Sequence, residues 1–119
     1  YAGYFYDYFF KRFGRRGLDN NNFRIRSLVH PVPRAAVLSQ PGSVVGIFYL
    51  NAFYAGGGVM VYGEGLPPNV TAGGQRWNFL SGALDVVAHE LAHGVTDFTS
   101  RLIYQNEPGA LNEAFSDMM

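Results

Sequence analysis

The chain has 119 residues, nearly half of them apolar, which is enough for one domain with a packed core. Lys plus Arg and Asp plus Glu balance at nine each, so bulk charge does not favour a nucleic-acid partner. There is no cysteine, which excludes disulfides and thiolate metal sites, and no run reaches the roughly 18 apolar residues of a membrane span.

Tyr1, Tyr4, Phe5, Tyr8 and Phe9 fall at helical spacing and predict a first helix with an aromatic core stripe. Lys11, Arg12, Arg15 and Arg16 crowd its end, where cations suit the helix dipole, with Gly14 and Gly17 as stop signals. Asp19 to Asn22 reads as a loop and Phe23 to His30 as a strand, with His30 an ordinary loop or strand-end residue. Pro31, Pro33 and Pro41-Gly42 break the next stretch into loop, with room for one short strand. Val44 to Tyr54 is rich in β-branched and aromatic residues and reads as a strand. Ala55 to Gly58 is a turn and Val59 to Tyr62 returns, a β-hairpin, followed by a Gly/Pro-rich loop from Gly63 to Gln75.

From Ser81 the period changes. Leu84, Val87, Leu91, Val95 and Phe98 predict a helix from about Gly82 to about Thr99, with Ser81 or Asp85 supplying a cap or favourable charge at its start. After a short link, Asn106 is the expected cap of a last helix, with Pro108 in its first turn and Ala110, Leu111, Ala114, Phe115 and Met118 along it. Tyr1 reads as mid-helix and Met119 follows no helix stop, so the sequence reads as part of a longer protein; no signal peptide is visible.

His89-Glu90-Leu91-Ala92-His93 lies inside the first of these two helices. Residues four apart differ by about 40° around the helix axis and about 6 Å along it, so two imidazoles at that spacing converge on one metal ion. Glu90 then points to where a water can sit, and a carboxylate there can accept its proton as the metal lowers the water's pKa toward roughly 7. A catalytic zinc takes three protein ligands and keeps a fourth position open. The last helix offers Glu113 as the third, with Asp117 one turn on, able to hydrogen-bond the outer nitrogen of a ligand imidazole. H-E-x-x-H alone is moderately specific, and a helix with one core and one surface histidine would also show it. The helical setting and the second helix bearing E-x-x-x-D favour the metal.

Asp85 through Asp117, DVVAHELAHGVTDFTSRLIYQNEPGALNEAFSD, resembles the thermolysin-like zinc endopeptidases, the M4 peptidase family, whose ligand set is two His and one Glu. Tyr1 to Tyr8, Ile25-Arg26-Ser27, Asn51-Ala52-Phe53 and Met60 to Gly63 extend the resemblance over nearly the whole chain, with different loops between. The resemblance implies zinc on His89, His93 and Glu113, with Glu90 as base and then as acid toward the leaving amine. It implies that Asp117 orients His89 and that Tyr104 donates to the developing oxyanion. Asn51 and Ala52 would pair with an extended peptide, Asn112 would help hold its backbone, and Leu80 and Val86 would line an apolar pocket for the residue after the scissile bond, with Trp77 a looser match. Plain core packing explains Leu80 and Val86 equally well. Asp85 matches a calcium ligand of the family, whose other ligands would lie beyond Met119.

The expected fold is α+β: an antiparallel sheet or hairpin part, then the zinc-binding helix and a second helix, as in a truncated thermolysin-like catalytic domain. Residues 1–80 would form its N-terminal helix and β-rich part and 81–119 its zinc-binding helical part. The family's C-terminal helical domain, which carries a second oxyanion donor and the cleft floor, is missing, and the 119 residues alone are expected to be inactive. The implied protein is a secreted zinc endopeptidase acting on peptides or proteins, with that missing domain as an intramolecular partner and neither nucleic acid nor membrane involved. An aminopeptidase would need an upstream motif for the substrate's N-terminus, which is not found. A non-catalytic module with structural zinc would have no use for Glu90.

Overall fold

The computed structural model describes residues 1–119. Helix α1 spans Ala2–Phe13, and the N–H groups of Gly14 and Arg15 close it onto the Phe10 and Phe9 carbonyls at 2.9 and 3.2 Å. Phe5 and Phe9, four apart on one face, are buried, whereas Tyr1, Tyr4 and Tyr8 of the same expected stripe stay exposed.

Three short strands follow, β1 (Arg26–Leu28), β2 (Ala52–Tyr54) and β3 (Val59–Tyr62), in the order β1-β3-β2. The expected hairpin forms: β2 runs antiparallel to β3, with Ala52 opposite Tyr62 and Tyr54 opposite Met60. Gly56, Gly57 and Gly58 turn it with φ of 85°, 56° and 73°, a run of left-handed backbone that side chains would resist. β1 joins β3 in parallel, Ser27 opposite Met60, so the sheet is mixed rather than antiparallel throughout. Residues 29–58 lie between these two strands, enough chain to cross over and re-enter in the same direction. β3 is the central strand, and β2 keeps one edge unpaired.

Val44–Tyr54 is not one strand. Gly42–Phe48 is helix α2, and only Ala52–Tyr54 of that stretch is extended. Val44, Val45 and Phe48 recur at helical spacing and pack against a small cluster of Val37, Tyr49 and Leu66. Packing of that half-buried face against the cluster outweighs a β preference that spans only about 1 kcal/mol. The preceding stretch, with room for a short strand, instead forms a 3₁₀ helix at Arg34–Ser39. This cluster is tied to the sheet by residues 63–65, whose N–H groups bond the Asn51, Phe48 and Tyr49 carbonyls, each at 2.9 Å. The approach demands glycine at 63, where a Cβ would sit 2.5 Å from the Asn51 oxygen.

After a 3₁₀ turn at Leu80–Gly82, helix α3 spans Leu84–Asp97, and α4 spans Asn106–Met118. Neither Ser81 nor Asp85 caps the N-terminus of α3. The cap position is Ala83, and the Asp85 carboxylate accepts only the adjacent Val86 N–H at 2.9 Å. Asn106 likewise makes no cap bond; it sits at φ 53° with Gln105 in the cap position. Val87, Leu91, Ala92 and Val95 of α3 close the main core with Phe5, Phe9, Leu18, Met60 and Tyr62. The molecule is thus an α+β fold in which α3 packs against α1, β2 and α4.

Candidate metal centre

Burial of Val87, Leu91 and Val95 fixes the rotation of α3 and turns His89 and His93 toward α4. The two Nε2 atoms lie 3.0 Å apart; Glu113 Oε2 is 3.1 Å from that of His89 and Oε1 is 3.6 Å from that of His93. A tetrahedral zinc with bonds of roughly 2.0–2.1 Å has ligand–ligand edges of about 3.3 Å; the Nε2–Nε2 and His89–Glu113 separations fall just below that value, and the 3.6 Å contact is made by the other Glu113 oxygen.

The outer nitrogens show which atoms face inward. His89 Nδ1 lies 2.9 Å from Asp117 Oδ1, and His93 Nδ1 lies 2.9 Å from Asn112 Oδ1 and 3.2 Å from the Ser116 hydroxyl. Carboxylate and carboxamide oxygens accept, so each Nδ1 carries the hydrogen and each Nε2 presents a lone pair. In the neutral form of both rings, two imidazole lone pairs and a carboxylate face one point, an arrangement that a cation relieves. The donor set suits zinc, and these three residues are the group in the molecule whose ligand atoms all lie within 4.8 Å of one another. His93 is buried, while Glu113 is partly open to solvent, which leaves one side of the point accessible.

Glu90 is buried at 6% exposure on the same helix. Burial pushes its carboxyl above the usual carboxylate range; the charge of His93 and a backbone hydrogen bond from Tyr54 act against this, and Glu113 adds to it. Beneath it, burial and then the Glu90 charge push the Tyr62 hydroxyl up to about 12.

The centre sits between two arms of a cleft that share Asn51, Ala52, His89 and Glu90. One arm, of about 810 Å³, is walled by Leu80, Leu84, Val86 and Met119, with Asp85 at its side. The other, of about 600 Å³, runs past Tyr54 and Gly56 toward Asp97, Arg101 and Tyr104. Tyr104 is exposed, with its ring centroid 5.8 Å from that of His93. Leu80 and Val86 also touch the main core, so packing and pocket lining coexist there. Trp77 lies elsewhere, against the small cluster of Val37, Tyr49 and Leu66. His30 is more engaged than an ordinary loop residue: its Nδ1 lies 2.9 Å from the buried carboxylate of Glu64.

The structure brings His89, His93, Glu90, Glu113 and Asp117 together. It puts Asn112 behind His93, its oxygen on the imidazole, although its side chain still reaches the cleft wall. Sequence reasoning missed that role for Asn112 and missed Ser116 entirely. The signal was present: Asn112/Ser116 repeats, one residue earlier, the i, i+4 spacing of Glu113/Asp117.

A family model described as thermolysin metallopeptidase, catalytic domain, matches residues 1–97. Bacillolysin of Bacillus caldolyticus is 45% identical over 118 residues, which cover 99% of this chain and 18% of that protein. Neutral protease B of Bacillus subtilis is 44% identical over 114 residues, 96% of this chain and 17% of that protein. Among solved structures, the precursor of protealysin, a metalloproteinase from Serratia proteamaculans, superposes with a TM-score of 0.74 at 36% identity, covering 99% of this chain and 30% of its own. The chain therefore spans under a fifth of the length of the first two relatives and under a third of the third.

Proposed function

Because the chain belongs to the thermolysin metallopeptidase family, we propose that the protein it represents is a zinc endopeptidase that hydrolyses internal peptide bonds of peptides or proteins. The observation that carries the reading is the convergence of His89 Nε2, His93 Nε2 and a Glu113 oxygen on one point, with both outer nitrogens held by acceptors.

His89, His93 and Glu113 would hold zinc, with Asp117 orienting the first imidazole and Asn112 and Ser116 the second. Zinc at that point supplies Lewis acidity, lowering the pKa of a water toward roughly 7 and polarising a carbonyl. Glu90 takes the water's proton on its carboxylate and returns it to the leaving amine nitrogen. Its raised pKa suits it to holding the proton between those events. The Tyr104 hydroxyl donates to the oxygen that gains charge. An extended substrate adds to the unpaired edge of β2 at Asn51 and Ala52, and the cleft wall of Leu80 and Val86 favours a bulky apolar side chain after the scissile bond. Residues 1–80 and 81–119 act as two parts of one catalytic domain that a further C-terminal domain completes, and the 119 residues alone are inactive. Extracellular location follows the family, as does calcium, with Asp85 as one ligand.

The test is cleavage of a blocked peptide by the full-length protein, with zinc measured by mass spectrometry. We expect one zinc per chain, loss of cleavage on chelation, and a drop of roughly 10²- to 10⁴-fold for Glu90→Gln with zinc retained. Retained cleavage in Glu90→Gln would remove Glu90 from the mechanism, and a metal-free active protein would remove zinc.

A further inference from the structure

The arm of the cleft beyond Tyr54 contains a single Lys or Arg, Arg101, among the acids Glu90, Asp97 and Glu113. Those acids are committed. Glu113 faces the two imidazoles, Glu90 is buried, and Asp97 accepts the Tyr54 hydroxyl at 2.7 Å. Arg101 pairs with none of them. The ion pairs of the molecule are Lys11–Asp7, His30–Glu64 and those of the metal centre, and the Arg101 guanidinium makes no hydrogen bond. It is an exposed, unpartnered cation on the cleft wall.

Its backbone is also at odds with its side chain. Arg101 sits at φ 50°, held there by its N–H on the Thr96 carbonyl at 2.8 Å after the last turn of α3. Glycine adopts that conformation freely and a long side chain adopts it at a cost. The turn does not ask for arginine, whereas this arm of the cleft gains its one Lys or Arg charge from it.

We infer that Arg101 selects peptides with an acidic side chain in the segment before the scissile bond. The inference deepens the endopeptidase reading and rests on it. If the arm walled by Leu80 and Val86 takes the residue after that bond, the opposite arm takes the residues before it. An extended chain rises about 3.3 Å per residue along β2, which brings the first few of these residues to the Tyr54–Arg101 end. There the free guanidinium meets a carboxylate with planar, paired donors.

The experiment uses the full-length zinc-loaded protein and blocked fluorogenic peptides that differ only by Glu, Gln or Lys at each of the three positions before the cleaved bond. At one or more positions the wild type should favour Glu over Gln by roughly two- to fivefold in kcat/KM, as for an exposed ion pair, and over Lys by more. The preference should shrink in 1 M salt. Arg101→Glu should reverse the Glu/Lys ratio. Arg101→Gly should bring it toward one while raising Tm, because the left-handed strain is gone; a purely structural arginine would lower Tm on removal and leave the ratio alone. Equal kcat/KM for all three peptides at every position, or a ratio unchanged in Arg101→Glu, overturns the inference. If no peptide is cleaved, the endopeptidase reading fails instead, and fluorescence anisotropy of labelled Glu and Lys peptides on wild type and Arg101→Glu still decides the charge preference.

Discussion

The molecule has two cores, and they differ in what they support. The larger joins Phe5 and Phe9 of α1, Met60 and Tyr62 of β3 and one face of α3, and that same helix carries His89, Glu90 and His93 on other faces. The smaller joins Val37 of the 3₁₀ helix at Arg34–Ser39, Tyr49 after α2 and Leu66, and the ladder of backbone bonds from residues 63–65 to 48–51 runs from it toward the cleft. A metal centre assembled from side chains needs its helix pinned in rotation by a core. A strand edge proposed to pair with substrate needs only a backbone laid at the right height. The first core should therefore be coupled to zinc affinity and the second should not.

The sharpest way to break that contrast is to hollow each core in the full-length protein. Leu91, fully buried beside Glu90, should cost about 2–5 kcal/mol as Leu91→Ala and weaken zinc binding as α3 loses its register. Val37→Ala, two methyls from the smaller core, should cost about 1–2 kcal/mol and leave zinc affinity unchanged. Urea unfolding and competition with a chelating dye measure the two quantities. Equal zinc losses in both variants would erase the distinction.

Within the larger region, α4 can be probed without touching a core. Asn112→Ala removes the acceptor 2.9 Å from His93 Nδ1 and should weaken zinc by roughly 10- to 100-fold. Ser116→Ala removes a longer contact of 3.2 Å and should do less, since Asn112 still orients the ring. If Ser116→Ala proves the more damaging, the hydroxyl and not the carboxamide sets the orientation of His93.

The contrast also explains what could be read from the sequence. The ligand spacing on α3 and the carboxylates on α4 are local, periodic features, and a helix converts their spacing directly into facing side chains. Gly14 after α1 and Gly56 to Gly58 in the hairpin are equally local. The smaller core is not. Val44, Val45 and Phe48 carry both a β-branched composition and a helical period, and contact with Val37 and Leu66, which no local pattern announces, decides between them. The parallel entry of β1 depends on the path of the intervening chain, which residue types do not specify. In the site, Ser116 and the role of Asn112 toward His93 were hidden because amide and hydroxyl groups are common on helices, whereas paired carboxylates facing an H-E-x-x-H helix are not.

A smaller test returns to the second core. Tyr49 is fully buried and its hydroxyl donates to the Pro33 carbonyl at 2.9 Å. Tyr49→Phe should cost about 0.5–1.5 kcal/mol, a typical net hydrogen bond, with zinc affinity unchanged. A measurable change in zinc binding would show that the two cores communicate through the ladder at 63–65.

The last effect, reduced by solvent screening at a hydroxyl that is only partly buried, is a dependence on alkaline pH, and it belongs to the larger region. Tyr54 on β2 donates its hydroxyl proton to Asp97 of α3 at 2.7 Å and accepts the Gly58 N–H at 3.2 Å, tying the edge strand to the helix that carries His89 and His93. Burial pushes this hydroxyl up to about 12 from its ordinary 10.0, with the Gly58 N–H acting against the shift and the Asp97 carboxylate adding to it. The folded chain thus keeps a proton that the unfolded chain releases first. The contribution is complete below pH 10, and it fades as pH rises through about 12, where folded and unfolded chains are both ionised. Tyr62, also pushed up to about 12, contributes a slope of the same sign. Tyr54→Phe should therefore be less stable than wild type at neutral pH and lose less on going from pH 10 to 12, keeping only the slope due to Tyr62. Parallel stability curves for the two proteins across that interval would mean that the Tyr54–Asp97 contact does not hold β2 against α3 in solution.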